Sequence, residues 1–392
     1  MFEIIPLNRE NLDISKIDSI NVDSSHIFST NITIISKLLS YDKYPISKNK
    51  AIINILNFLN FFDSKLYEYE NEYTSIKSDI LRFYFRDSKQ YMDILYQLGI
   101  VKKKRYEDGT YYIVGKQSTQ YEYIGSYDET IPCLVVIKGN RKMNLSFEDC
   151  VDVKFKNTIS NIDLDIKGSI KAEIDYYLSN SISITQLQSR LSTALNILSK
   201  RRISQSKKTG RIRHSFCNLS KVSRKHISFN NKKFFEMDVS TCQPLLLSYF
   251  LKSEDLPIDS DYLRDVQSGK VYDVIATKIG KSREETKLDL YKSIFFSYKP
   301  DKNKAGKCFR EIYNLTSMSI GYFMETSQET MASILQSLES NIFNSLKVEH
   351  SEAFFTLYDA IFFTSVNDID IIESQIKECF SIYELKVNIS IR

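Results

Sequence analysis

Two aspartates stand in apolar surroundings where an acid has to be accounted for. The run Lys233-Phe234-Phe235-Glu236-Met237-Asp238-Val239-Ser240 alternates apolar and acidic residues, so a strand would set Glu236 and Asp238 on one face. An apolar stretch, Gln243 to Leu251, follows and reads as a helix with Pro244 in its first turn. Taken alone, an aspartate ahead of such a helix is an N-cap. Asp359 interrupts a second apolar run, Ala353 to Thr364, which reads as a hairpin. Turn chemistry accounts for one such acid. Aspartate is nevertheless disfavoured in strands and expensive to bury unless it is paired or binds a cation. Together the two acids offer what phosphoryl transfer needs, carboxylates that bridge a pair of Mg²⁺ ions roughly 3.5 to 4 Å apart. Hard cations want oxygen ligands, and without a His or Cys cluster the donor set suits magnesium rather than zinc.

Between the acids, Ser282 to Phe296 predicts a helix that opens with a capping box from Ser282 and Glu285. Arg283, Lys287, Tyr291 and Phe295 recur every four residues and follow one slowly rotating stripe. Two cations followed by two aromatics could clamp a triphosphate and stack a base. A surface helix whose aromatics belong to the core accounts for the same spacing. From Lys200 to Lys233 there are twelve basic residues and no acid. A solvated basic face and a polyanion site both explain that run, and composition does not choose between them.

These residues need a scaffold. A chain of 392 residues exceeds a single core, so two or three units are expected. With 42% hydrophobic and 26% charged residues, 11 Gly and 6 Pro, the chain should be folded nearly throughout. Residues 1–65 read as a helical region, with Ile52, Ile53, Leu56, Leu59 and Phe62 at helical spacing from Ser47 to Tyr73. Ser78 to Leu98 predicts another helix, ended at Gly99. The basic Lys102 to Arg105, the Glu107-Asp108-Gly109 turn signal and the alternating Tyr111, Ile113, Tyr121 and Tyr123 then predict a hairpin. Residues 66–125 thus resemble a winged helix, or form a plain interaction module. Residues 126–180 read as a strand-rich connector, with Val135 to Ile137 and Val151, Val153 and Phe155 in strands. Leu187, Leu191, Leu195 and Leu198 return to a helix over Ser183 to Lys200.

Six scattered cysteines argue against structural zinc and against a disulfide framework. Neither a leader-like N-terminus nor an apolar stretch near the roughly 20 residues of a membrane span is seen. A cytoplasmic protein without a membrane partner is the expectation.

The ordered series from Thr209 to Ala360 resembles family A DNA polymerases and, more distantly, the single-subunit phage-type RNA polymerases. Thr209-Gly210-Arg211, Asn218-Leu219, Arg224 and Asp238-x-Ser240 are similar to the approach to the family's first motif. Arg283-x-x-x-Lys287-x-x-x-Tyr291-x-x-x-Phe295 resembles the fingers helix, and Tyr358-Asp359-Ala360 resembles the third motif. Gly269 to Ala276 is similar to the segment before the fingers helix, and Gln336 to a glutamine before the third motif. The likeness covers about residues 200 to 370. It implies an α+β fold in which residues 181–392 form a right-hand palm, an antiparallel sheet, with helical fingers and a reduced thumb.

The resemblance assigns Asp238, Asp359 and the carbonyl of Val239 to two Mg²⁺ ions, with Mn²⁺ as a substitute. It gives the incoming dNTP or NTP to Arg283 and Lys287, with Tyr291 packed on the nucleotide, and makes Lys287 the proton donor to pyrophosphate. Arg211, Arg224, Phe295 and Gln336 would meet the primer-template, DNA or RNA, with Phe295 against the templating base. Gln243, at the nucleotide, stands where the DNA polymerases have the glutamate that screens out a ribose hydroxyl, so sugar choice stays open. Phe296 replaces a glycine and Ala360 the second acid of the third motif. Glu236 would assist the metals or pair with the basic run. The implied protein is a minimal polymerase of mobile-element or phage type, making DNA on a template. An RNA polymerase, a primase-like enzyme and a template-independent terminal transferase are variants of the same reading. A non-catalytic DNA-binding replication protein is the alternative from another class.

Overall fold

The computed structural model describes residues 2–7, 12–66, 73–75, 88–103, 120–123, 131–139, 143–147, 152–180, 182–327 and 329–392. The fold is mixed α+β and divides into two compact units. The first comprises Met1–Ser146, Asp163–Arg202 and Ser215–Ile227, and the second Phe147–Ile162, Ile203–His214 and Ser228–Arg392.

In the first unit the strand Pro132–Lys138 is the middle of a three-stranded antiparallel sheet, flanked by Phe2–Pro6 and Ser25–Asn31. Six of its residues, Pro132 to Ile137, are buried, as a strand covered on both faces requires. The helix Lys48–Leu66 buries Ile52, Leu56, Leu59 and Phe62 against this core, as its spacing predicts. Residues 1–65 are not purely helical, because Phe2–Pro6 and Ser25–Asn31 find their partner more than a hundred residues along the chain. The helix Ser88–Gln97 ends at Gly99, which takes φ +59, the left-handed conformation of a C-terminal cap. Val101–Lys103 pairs antiparallel with Gln120–Tyr123, which also pairs with Tyr73–Ser75. The expected turn at 107–109, with Tyr111, Ile113 and the start of the helix at 78–87, lies outside the described residues.

The helix Ile184–Ile197 opens with a capping box from Ser183 and Gln186 and buries Leu187, Leu191 and Leu195. The expected strand-rich connector is strand first and helix after: Val135 to Ile137 lie in the strand Pro132–Lys138 as expected, Val151 lies outside the described residues, and Val153 and Phe155 lie in a helix. Val153–Asn161 is a helix capped by Asp152, and Ile166–Ser179 is a helix capped by Asp165. Both aspartates accept a hydrogen bond from a first-turn N–H, a local signal that outweighs the β-branched residues that suggested strands.

The second unit carries a four-stranded antiparallel sheet in the order Phe354–Leu357, Ala360–Phe363, Phe235–Val239, Ile389–Ile391. Its core joins Met237, Val239, Ile361 and Phe363 of the sheet to residues of the helices Cys242–Ser253, Val271–Ile279 and Met331–Ser345. No described helix is long and apolar enough to cross a membrane.

Candidate active site

Asp238 sits inside the strand and does not cap the helix. Met237 and Val239 are buried while Glu236 and Asp238 are half-buried, so the two acids share the less covered face. Asp238 is opposite Ala360 on one side and Ser390 on the other, in an interior strand. The N-cap of Cys242–Ser253 is Thr241, in the left-handed conformation at φ 53 and without a side-chain capping bond. Its hydroxyl instead donates to the carbonyl of Val266 at 3.1 Å.

Asp359 is the second residue of a two-residue turn, since Leu357 and Ala360 are paired across the hairpin. Tyr358 before it adopts φ 57, an uncommon conformation for a bulky side chain. The carbonyl of Asp359 accepts a hydrogen bond from the N–H of Val239 at 3.2 Å. The turn therefore docks on the residue next to Asp238. The turn reading of Asp359 holds, and the turn carries the acid to the strand of the other acid. Both carboxylates, with Glu339, bear electrostatically on the buried Cys242 thiol, whose pKa is pushed up first by burial and then by these charges.

Asp359 is half-buried by its accessible surface and closely surrounded, as a recessed group is. Burial, and then the Glu339 charge, raise its carboxyl to about 6, against the opposing pull of Lys287 and Arg211. Glu339 was not singled out in the sequence. It lies on the helix Met331–Ser345, four residues after the buried Leu335 and three before the buried Ile342. A single acid on the apolar stripe was the available signal. Arg211 donates to it from Nε at 3.0 Å and from Nη2, and Gln243 donates from Nε2 at 2.6 Å. Burial still lifts the Glu339 pKa, outweighing both partners. The Arg211 guanidinium lies 4.5 Å from the ring centroid of Tyr358, so one chain of contacts runs from Glu339 to the turn that holds Asp359.

No family model matches this chain, and no curated protein matches it. Among solved structures, the POL domain of Pol1 from M. smegmatis, in complex with DNA primer-template and dNTP, is similar over 57% of this chain and 55% of that one. Identity is 13% and the TM-score 0.23, too slight a likeness to carry an argument. This chain spans about half the length of that structure.

The helix Arg283–Leu290 has the expected capping box from Ser282 and Glu285. Arg283 pairs with Asp273 at 3.2 Å and donates to the carbonyl of Gly269 at 3.3 Å. Its guanidinium is 5.3 Å from the Tyr272 ring, and the Lys287 ammonium is 5.9 Å from Tyr272 and 5.7 Å from Tyr291. Tyr272, buried beneath both cations, is a further residue that the motif reading left without a role.

The stripe changes register at Tyr291. Residues Tyr291–Phe295 form a π turn, and the N–H of Phe296 bonds the carbonyl of Tyr291 at 3.0 Å. The extra residue turns Phe295 inward, where it is 0% exposed and packs on Phe309. Phe295 is therefore a core residue and presents no face to a base. Phe296 is 43% exposed and lies 4.8 Å from Tyr291, ring to ring, so it continues the aromatic stripe.

Other expected residues are dispersed. Arg224, on the short helix Lys221–Arg224, belongs to the first unit, whereas both aspartates belong to the second. Gln336 is half-buried one turn before Glu339. Glu236 pairs with Arg392 at 3.5 Å and not with the basic run. The basic run is itself no uniform face. Arg201 is buried over the Phe216 ring, burial pushes the Lys200 pKa down to about 8, and Arg211 is held by Glu339, while Lys207, Lys208 and Arg213 are exposed.

Among the described residues, no three His, Cys, Asp or Glu side chains group as a ready-made metal cage. The site offers two carboxylates and backbone carbonyls, an all-oxygen set that suits a hard cation retaining other oxygen ligands. A recessed carboxyl raised by burial and by a like charge is the kind of group such a cation relieves.

Proposed function

We propose that this protein is a nucleic-acid polymerase of the right-hand type, with the four-stranded sheet as palm and the Arg283 to Phe296 segment as fingers. One observation carries the reading. The Tyr358–Asp359 turn docks on the Asp238 strand, with Arg211 and Lys287 acting on the same Asp359 carboxyl. A structural scaffold gains nothing from recessing acids in this way, because uncompensated buried charge costs stability.

In the proposed reaction a 3′-hydroxyl oxygen attacks the α-phosphorus of a nucleoside triphosphate, the bond to pyrophosphate breaks, and the hydroxyl proton passes to solvent water. Two Mg²⁺ ions held by Asp238, Asp359 and the Val239 carbonyl, with Mn²⁺ as a substitute, would lower the charge on the attacking and leaving oxygens. Arg283 and Lys287 bind the triphosphate, and Lys287 protonates the departing pyrophosphate. Tyr291 and Phe296 form the aromatic ledge for the bases, the second in place of the buried Phe295. Glu339 and the Tyr358 ring hold Arg211 ready for the primer-template. Gln243 is buried and bonded to Glu339, so it would bear on the nucleotide through that acid and not by facing it.

Template-directed DNA synthesis is the form proposed. Primer extension tests it, with dNTPs or NTPs, with and without template, for the wild type, Asp238→Asn and Asp359→Asn. Incorporation by the wild type that falls at least about a thousandfold in both variants supports the reading. NTP use or template-free extension would redirect it to the RNA polymerase, primase-like or terminal-transferase variants. No incorporation with either metal would leave a non-catalytic nucleic-acid-binding protein.

A further inference from the structure

The strand Ile389–Ile391 forms the edge of the sheet and runs antiparallel to the Asp238 strand, with Met237 opposite Ile391 and Asp238 opposite Ser390. One step further along, Glu236 and Arg392 exchange both backbone hydrogen bonds, at 3.0 and 2.9 Å. Residues directly opposite in an antiparallel pair project from the same face, and the diagonal neighbour is within reach of a long side chain. Arg392 is therefore directed by register at two acids, Glu236 opposite and Asp238 on the diagonal. Its guanidinium is 3.5 Å from Glu236 and 4.0 Å from the Asp238 carboxylate. The Asp238 side chain is 28% exposed and that of Arg392 54%, so solvent screens the guanidinium more than the carboxylate.

We propose that Arg392 is a charge clamp on Asp238, a positioning residue that lends its positive charge to this carboxylate when no cation is bound and that a divalent cation has to displace. This rests on reading Asp238 and Asp359 as the cation-binding pair. Because the strand is held by its backbone, replacing the side chain leaves the pairing intact and alters the charge alone. The clamp sets the divalent-ion concentration at which the site fills, and Glu236 tempers it by drawing the same guanidinium away from Asp238.

The test is Mn²⁺ binding to the full chain, read by the electron paramagnetic resonance of free Mn²⁺, with thermal melting as a check on folding. Arg392→Gln should bind Mn²⁺ about three- to tenfold more tightly than the wild type, the scale of removing one unit charge a few ångströms from a divalent ion in partly screened surroundings. Arg392→Lys should stay within about twofold, as the charge is kept. In the Arg392→Gln, Asp238→Asn double variant the gain should vanish. Unchanged or weaker binding by a folded Arg392→Gln overturns the clamp, as does a gain that survives in the double variant. The polymerase reading fails separately: a Mn²⁺ shift without nucleotide incorporation keeps the clamp and removes the enzyme.

Discussion

The Asp359 carboxyl rises from 3.8 to about 6, chiefly through burial and then through the charge of Glu339. Its folded form favours the proton, so the stability it contributes is complete below about pH 4, declines as pH rises through about 6, and is absent above. Asp359→Asn removes this dependence. In metal-free buffer the variant should match the wild type near pH 4 and exceed it above pH 6 by up to about 3 kcal/mol, measured by urea unfolding across that range. Divalent cation should reverse the order, since it stabilises only the chain that retains the carboxylate. Glu339 sits under opposite constraints, because Arg211 and Gln243 both depend on it. Glu339→Ala leaves a largely buried guanidinium and a buried amide without their acceptor and should cost about 3 kcal/mol. A cost below about 1 kcal/mol in the same unfolding measurement would mean that the network is incidental.

At the scale of the element, the π turn Tyr291–Phe295 decides which aromatic is core and which is surface. Phe295→Ala should lower stability by about 3 to 5 kcal/mol, as expected for emptying a packed ring site. Phe296→Ala should change stability by less than about 1 kcal/mol and instead weaken incorporation, raising the KM for nucleotide. Calorimetry and steady-state kinetics on the two variants separate the assignments, and the opposite pattern would return the stacking role to Phe295. The strain at Tyr358 belongs to this scale too. A two-residue turn with φ 57 at a tyrosine is held by the Arg211 guanidinium over its ring and by the strands on either side.

For the whole molecule, the modest net charge of +4 conceals a basic stretch that serves several purposes. Arg201, Lys200 and Arg211 are committed to packing and pairing, whereas Lys207, Lys208 and Arg213 are exposed and, on the proposed polymerase reading, are the cations that would meet phosphates. Replacing these three by glutamine should weaken nucleic-acid binding and reduce the slope of log affinity against log salt by about 2 to 3, near 0.7 to 0.9 for each phosphate no longer neutralised. Fluorescence anisotropy of a labelled primer-template between about 50 and 200 mM salt reads that slope. An unchanged slope would make the three a solvated surface.

Local signals were legible without the structure. The capping box at Ser282, the Gly99 stop, the leucine stripe of Ile184–Ile197 and the strand alternation around Asp238 all act over a few residues, and the chain obeys them. The amino-acid sequence by itself also marked Asp238 and Asp359 as acids in apolar β segments, whereas the structure sets Asp238 inside its strand and Asp359 in the hairpin turn. Tertiary structure decided who meets whom. Pairing of Phe235–Val239 with Ala360–Phe363 brings the two acids to neighbouring strands, and pairing with Ile389–Ile391 brings Arg392 to Asp238. The approach of the helix Met331–Ser345 adds Glu339, which outwardly is one polar residue in an amphipathic pattern. Strand register and the field at a recessed carboxyl depend on residues far apart in the chain, whereas caps and periodicity depend on the nearest turn.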